Sequence, residues 1–552
     1  MIRTWYRSGT PFVWLTAGAV SMSLVMVVGL LVLIAVRGLG HFWPAAVHHI
    51  DYRAADGRVV TLLGEIYDRE TVPATRIREA GYPVPEAQQG YLERYLLKIG
   101  NRRLYGLDFR NIVAIGIVRD ELPRDAMVME RREWGNFYGF LEAVREGGRE
   151  VARGPGAWDA LMPRLERARD LFDRIRAIEK HDIGRINHAL ERLRLRERRM
   201  ELDGDTDPAR RAAIEEERQG LQEEFEVLQA RLAELRQQIG RDSVLARTAE
   251  GREVDLPLAK AVRVYRPNAM GLGDKFGFYF ARLWEFVSDE PREANTEGGI
   301  FPAIFGTVMM VLIMAVLVTP MGVVAAIYLR EYAKQGPLTR LIRIAVNNLA
   351  GVPSIVYGVF GLGFFVYFLG GNIDRLFFPE ALPAPTFGTP GILWASLTLA
   401  ILTLPVVIVS TEEGLARIPR SIREGSLALG ATRAETLWRT VVPMASPAMM
   451  TGLILAVARA AGEVAPLMLV GVVKLAPSLP LDGDFPYLHL ERKFMHLGFH
   501  IYDVGFQSPN VEAARPLVYA TSFLLVVVIV VLNLTAIQIR NRLREKYHAL
   551  EG

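Results

Sequence analysis

Six long apolar runs constrain this 552-residue chain more than anything else in it. They cover residues 12–36, 301–329, 348–369, 391–409, 449–473 and 517–537. Each is long enough to cross a bilayer, for which about 20 residues suffice. Hydrocarbon offers the backbone no water to bond, so runs of this kind must satisfy themselves as helices. The first has no convincing small-x-small cleavage site and reads as an uncleaved anchor. The chain is expected to be a polytopic membrane protein, mainly α, with the lipid bilayer as its first partner.

Charge supplies the orientation, because loops rich in Lys and Arg stay on the cytoplasmic side. Arg3 and Arg7 precede the first run, and Arg330, Lys334, Arg340 and Arg343 follow the second. Arg417, Arg420, Arg423, Arg433 and Arg439 follow the fourth, and Arg540, Arg542, Arg544 and Lys546 form the tail. The alternate connections are poorer, with Arg375 after the third run and Lys474, Arg492, Lys493 and Arg515 after the fifth. Both termini are thus expected in the cytoplasm and residues 38–299 on the opposite face. The net charge of +4 averages over this split and points to no nucleic-acid partner. The absence of cysteine excludes disulfides and thiolate metal sites.

Residues 38–299 read as a domain inserted between a first transmembrane segment, 1–37, and a five-helix core, 300–552. Histidines 41, 48 and 49 beside Trp43 are better explained as interfacial side chains than as metal ligands. Short β-branched runs at 58–66, 94–99, 111–118 and 253–265 suggest a small sheet. Between them, segments 158–202 and 208–239 are rich in Arg, Glu, Leu and Ala and are separated by a DGDTDP turn. In the second arm Ile214, Leu221, Phe225, Leu228, Leu232, Leu235 and Ile239 follow a heptad seam. An antiparallel coiled-coil hairpin at about 158–240 is the expectation. Its plain role is for the arms to pack on each other, and its functional one is to meet an envelope partner. Gly271, Gly273 and Gly277 lie in a linker on this reading, since no GxxxxGK[ST] follows a strand there. No Walker A, HExxH or GxSxG motif occurs in the chain.

Two places carry chemistry. Arg459 and Glu463, four apart in an apolar run, are expected on one helical face. Ionisable groups at membrane depth are costly, so they pair or line a polar path. A self-satisfied pair explains them, and so does a guanidinium presented to an anion, whose oxygens its planar fork matches. The second place is the charged loop 411–447, with Glu424, Gly425, Ser426 and Gly430 in its middle and Pro443 near its end. Two short amphipathic helices turning at Gly430 are expected, with the VVP at 441–443 as a stop. With no nucleotide motif in the chain, such a segment suits contact with a separate polypeptide.

Glu424, Gly430 and Pro443 stand at the spacing of the EAA loop of bacterial ABC-importer permeases. The segments EEGLARIPRSIREGSLALGATRAETLWRTVVP, ARAAGEVAPLMLVG and REYAKQGPLTRLIRIAVNNLAGVPSIVYGVFGL resemble phosphate permeases of the PstA type. NNLAGVPSIVYG is closer to that type than to PstC. The resemblance covers the first run and about 299–544, and implies a six-helix type I permease fold in the bacterial inner membrane. It implies a subunit with no cofactor and no covalent catalysis of its own, Mg-ATP being held on the ATPase. Its implied partners are a PstC-type permease, two PstB-type ATPases, a PstS-type binding protein and inorganic phosphate. Residues Glu424 to Gly430 map to the loop that fits the ATPase, and Arg459 to the intramembrane arginine of the phosphate path. Family members have a short first external connection, so residues 38–299 fall outside the likeness. A permease for molybdate or sulfate, and a phosphate sensor using the hairpin, are the alternatives.

Overall fold

The computed structural model describes residues 8–82, 84, 90–292, 295–483, 485–508 and 511–548; Arg3 and Arg7 lie outside them. The chain forms two compact units, Met1–His41 with Phe286–Gly552, and Phe42–Glu285. The second is narrower than the interval 38–299.

Helix α1 (Thr10–Gly40) opens the chain and leads into the inserted unit. That unit holds two sheets where the sequence suggested one. The first is antiparallel in the order β4-β3-β2-β1-β5, built from β1 (Val47–Arg53), β2 (Val59–Pro73), β3 (Tyr91–Lys98), β4 (Phe109–Val113) and β5 (Ile117–Glu121). The run 111–118 is broken by a 3-10 turn at Ala114–Gly116, so it serves both edges of this sheet. His48 is tied up here, its Nδ1 lying 2.9 Å from Asp120 Oδ1 across β1 and β5. The second sheet runs β10-β9-β7-β6-β11, with β8 on β7. Its strands are β6 (Ala126–Arg131), β7 (Phe137–Glu146), β8 (Arg149–Arg153), β9 (Asp242–Arg247), β10 (Glu253–Pro257) and β11 (Ala261–Tyr265). The single run 253–265 thus becomes two strands on opposite edges, split by a turn at Leu258–Lys260. All six residues of β6 are buried. A strand covered on both faces loses the period-two alternation by which strands are read.

Between β8 and β9 rise α2 (Ala157–Ala177), a π-turn at Ile178–Asp182, α3 (Ile183–Leu202) and α4 (Pro208–Ile239). Pro208 takes the first helical position and Asp207 Oδ1 accepts from Ala209 N at 2.9 Å, capping the exposed N-terminus. Ile214, Leu232, Leu235 and Ile239 are buried and Leu221, Phe225 and Leu228 half-buried, so the stepped positions are the ones turned from solvent. Arg236 with Glu179, Arg185 with Glu224 and Arg218 with Glu197 cross between the arms, the order expected of antiparallel helices. At the root, Leu161, Leu165, Leu171, Leu232, Leu235 and Ile239 share one core with Met127, Phe137, Val244 and Val264 of the second sheet. Helix α5 (Leu272–Ser288) closes the unit. It absorbs Gly273 and Gly277, so this stretch is helix and not linker; the apolar face of FGFYFARLWEF outweighs about 1 kcal/mol per glycine.

The membrane unit continues with α6 (Phe301–Ile327), α7 (Pro337–Leu349), α8 (Ser354–Phe377), α9 (Ile392–Arg417), α10 (Arg420–Ala428), α11 (Arg433–Gly462) and α12 (Val511–His548). Six of the described helices, α1, α6, α8, α9, α11 and α12, are long and apolar enough to span a membrane. Small residues set the crossings, as lipid supplies no hydrophobic drive between helices. A Cβ on Gly322 of α6 would sit 2.5 Å from Val407 of α9, and one on Gly414 of α9 2.5 Å from Ala448 of α11. One on Gly38 of α1 would sit 2.8 Å from Ala520 of α12. Pro302 lies in the first turn of α6 and Pro353 precedes α8, while Pro320 lies inside α6.

Several span boundaries differ from the hydropathy reading: the third span is Ser354–Phe377 and the sixth reaches Glu545. Helix α9 continues to Arg417, and the fifth span is Arg433–Gly462, displaced from 449–473. Residues 464–473 are apolar without being part of that helix. They fold back as a turn and a short helix, Leu467–Val470, buried beside Gly391. Apolarity reports burial, and here the burial is in protein.

The connection from there to α12 contains a second short helix, Leu497–Tyr502. His496 caps it, its Nδ1 accepting from Gly498 N at 3.1 Å, which requires that nitrogen unprotonated. Burial pushes His496 down to about 3 and His500 down to about 4. The unfolded chain binds these protons near pH 6.5. Stability is therefore complete above pH 6.5 and falls as pH drops toward 4, by about 1.4 kcal/mol per pH unit for each histidine. Thermal unfolding in detergent from pH 7 to 5 is expected to show this fall, with a shallower slope in the His496→Gln/His500→Gln double variant.

Candidate translocation and coupling sites

Helix α11 ends at Gly462, and Glu463 follows in extended conformation, φ −78° and ψ 131°. Arg459 and Glu463 therefore do not share a helical face; the carboxylate comes back from the helix cap. They still meet, with Arg459 Nε 3.4 Å from Glu463 Oε1. The side chains are 34% and 21% exposed, so this pair is neither sealed in the core nor free in solvent. That geometry leaves the terminal nitrogens of the guanidinium available for a second acceptor.

The turn that carries Glu463 packs on the start of α8. A Cβ on Gly358 would lie 2.7 Å from Pro466 Cα, and one on Gly361 3.0 Å from Val470. Tyr357, next to Gly358, donates its hydroxyl to Leu349 O at 2.6 Å. Residues 348–361 and 457–471, distant in sequence, are thus in direct contact.

Helix α10 follows α9 after the two residues Ile418 and Pro419. Glu424 and Gly425 are exposed on it, and Ser426 Oγ lies 2.9 Å from Thr436 Oγ1, joining α10 to the start of α11. Gly430 makes the corner at φ 91°, a conformation that suits glycine. Thr432 and Glu435 form a reciprocal capping box, so the T-x-x-E of ATRAE starts a helix as it should. Leu429, at the corner, is 91% exposed, and Leu427 and Trp438 are exposed near it. Pro443 is not a stop. It lies early in α11, directly after a π-turn at Leu437–Val441 that accommodates the missing N–H.

Residues 318–546 match the family model described as binding-protein-dependent transport system inner membrane component. Phosphate transport system permease protein PstA 1 of Mycobacterium tuberculosis is 33% identical over 244 residues, 44% of this chain and 71% of its own length. The chain belongs to this family of inner-membrane permeases. PstA of Mycobacterium leprae is 34% identical over 218 residues, 39% of this chain and 66% of that protein. YqgI of Bacillus subtilis, a probable ABC transporter permease protein, is 30% identical over 260 residues, 46% of this chain and 81% of its own. The chain thus spans slightly under two thirds of the Mycobacterium leprae relative. Among solved structures, an inward-facing MetNI methionine ABC transporter aligns over 44% of this chain and 94% of its own at 17% identity, with a TM-score of 0.32.

Two features of this permease had no signal in the sequence beyond a count of positive charges. Arg423 donates to Ile418 O and Leu415 O, each at 2.8 Å, and to Glu331 Oε1 at 2.9 Å. Arg343 of α7 donates to Leu329 O at 3.2 Å and lies 3.4 Å from Glu412 Oε1 of α9. Both cations tie the loop end of α9 to the end of α6. The half-buried Arg423 thus holds α10 by its neighbouring residue and leaves Glu424 facing out.

Proposed function

We propose that this permease subunit passes inorganic phosphate across the inner membrane in an ATP-driven importer. The observation that carries the reading is the half-exposed Arg459 at the broken end of a spanning helix, held loosely by one carboxylate oxygen. A planar cation suits a phosphate oxyanion, and a resident carboxylate competes for it, which favours release over tight capture. The likeness to PstA relatives supports phosphate as the anion.

In this reading Glu424, Gly425, Ser426 and Gly430 form the surface that meets a PstB-type ATPase, of which the importer has two copies. Mg-ATP is bound and hydrolysed there, and this chain itself makes and breaks no covalent bond. A PstC-type permease completes the pore and a PstS-type binding protein delivers phosphate. The termini and α10 lie in the cytoplasm, and residues 42–285 in the periplasm with α3 and α4 interlocked as a coiled coil.

The test is uptake of labelled phosphate by proteoliposomes holding the complete co-expressed complex and Mg-ATP. Unlabelled phosphate is expected to compete, and sulfate and molybdate are expected not to. Competition by molybdate or sulfate at equal concentration would overturn the substrate assignment.

A further inference from the structure

Helix α5 is built inside out. On one side its charges turn inward: Arg282 reaches Glu130 of β6, and Glu285 reaches Arg263 of β11. Arg263 Nε lies 3.4 Å from Glu130, which is almost fully buried. Phe278 meets Tyr265 with ring centroids 4.6 Å apart and the ring planes tilted by 47°. On the other side Leu272, Phe276, Phe280 and Trp284 recur every fourth residue and are 73, 53, 62 and 71% exposed. Gly277 and Ala281 lie exposed between them. A helix on a water-soluble domain has the opposite arrangement, apolar stripe inward and charges outward.

We propose that this aromatic face lies in the headgroup layer of the bilayer, making α5 an interfacial helix. Chain continuity argues for lipid as the occupant. Trp43, whose ring meets Phe276 edge-on at 5.3 Å, comes just after spanning helix α1 ends at Gly40. At its other end α5 stops at Ser288, and spanning helix α6 begins at Phe301. Tryptophan and phenylalanine prefer the interface between hydrocarbon and water, and an amphipathic helix lies flat there. The face carries Gly and Ala between its large side chains, which lets rings spread into acyl chains without a complementary protein surface.

The natural absence of cysteine makes the test direct. Single variants Phe280→Cys and Ala281→Cys of the full chain, nitroxide-labelled, are placed in nanodiscs of phosphatidylethanolamine and phosphatidylglycerol. A label on the exposed, water-facing Glu216 of α4, as Glu216→Cys, is the reference. Collision with oxygen relative to collision with a nickel chelate is expected to be several-fold higher at 280 and 281 than at 216. Equal ratios overturn the proposal, since they mean water. A label shielded from both reagents overturns it too, because that signals a protein partner. Ala281 is small, so its variant still decides the matter if loss of the Phe280 ring disturbs folding.

Discussion

Arg459→Ala is expected to lower phosphate uptake by at least about 100-fold while the complex still assembles. A bidentate charged contact combines two hydrogen bonds worth about 1.5–3 kcal/mol each, and about 1.4 kcal/mol is one factor of ten. Removal also leaves Glu463 at membrane depth without its cation, which opposes an incoming anion. Arg459→Lys keeps charge but loses the fork and should retain an intermediate rate. Glu463→Gln should move the other way on binding: phosphate held more tightly, a lower KM, and a lower kcat through slow release. Uptake is measured at several phosphate concentrations, with assembly followed by co-purification of the ATPase. Native-rate uptake by an assembled Arg459→Ala complex would remove the side chain from the path.

Leu429→Asp is expected to break transmission instead of passage. Leu429, 91% exposed at the glycine corner, joins exposed Leu427 and Trp438 in an apolar patch of the kind that marks a protein contact. Central apolar anchors of an interface cost about 2 kcal/mol or more when lost, so ATPase recovered with the permease should fall roughly 30-fold. The α10 fold should survive, because the Leu429 side chain is exposed and the bonds of Arg423 and Ser426 are made without it. Thermal unfolding unchanged from wild type, with ATPase lost, is the expected pair of results. Retained ATPase with normal phosphate-stimulated hydrolysis would place the docking surface elsewhere.

The spanning helices were legible because long apolar runs leave the backbone no alternative to helix. The hairpin helices were legible because a seam at steps of three and four admits no strand. Legibility failed where apolarity and helix part company. Residues 464–473 are as apolar as any span, yet fold into a turn against α8, and no window of composition distinguishes lipid from protein as the covering. The four-residue spacing of Arg459 and Glu463 implies a shared face only where the helix continues, and this one stops at Gly462. Pro443 misled because a π-turn can admit proline without ending a helix. The second sheet escaped notice since β6 is buried throughout and carries no alternation, and Arg423 because an anchoring arginine looks like any other positive charge in a cytoplasmic loop.

The hairpin introduces a matter of reach. At 1.5 Å per residue the 32 residues of α4 measure about 48 Å, longer than the roughly 30 Å hydrocarbon thickness of a bilayer. Its root is fixed in the core of the second sheet, while the crossing ion pairs stiffen the arms. Such an object is a post of set height. A folded body that binds its tip stands off by the length beyond the root, about 36 Å for residues 208–231, and one that needs the sheet must arrive alongside the arms. Shortening α3 and α4 by matched heptads would therefore change spacing and leave the root unchanged, separating what the post touches from how far it reaches.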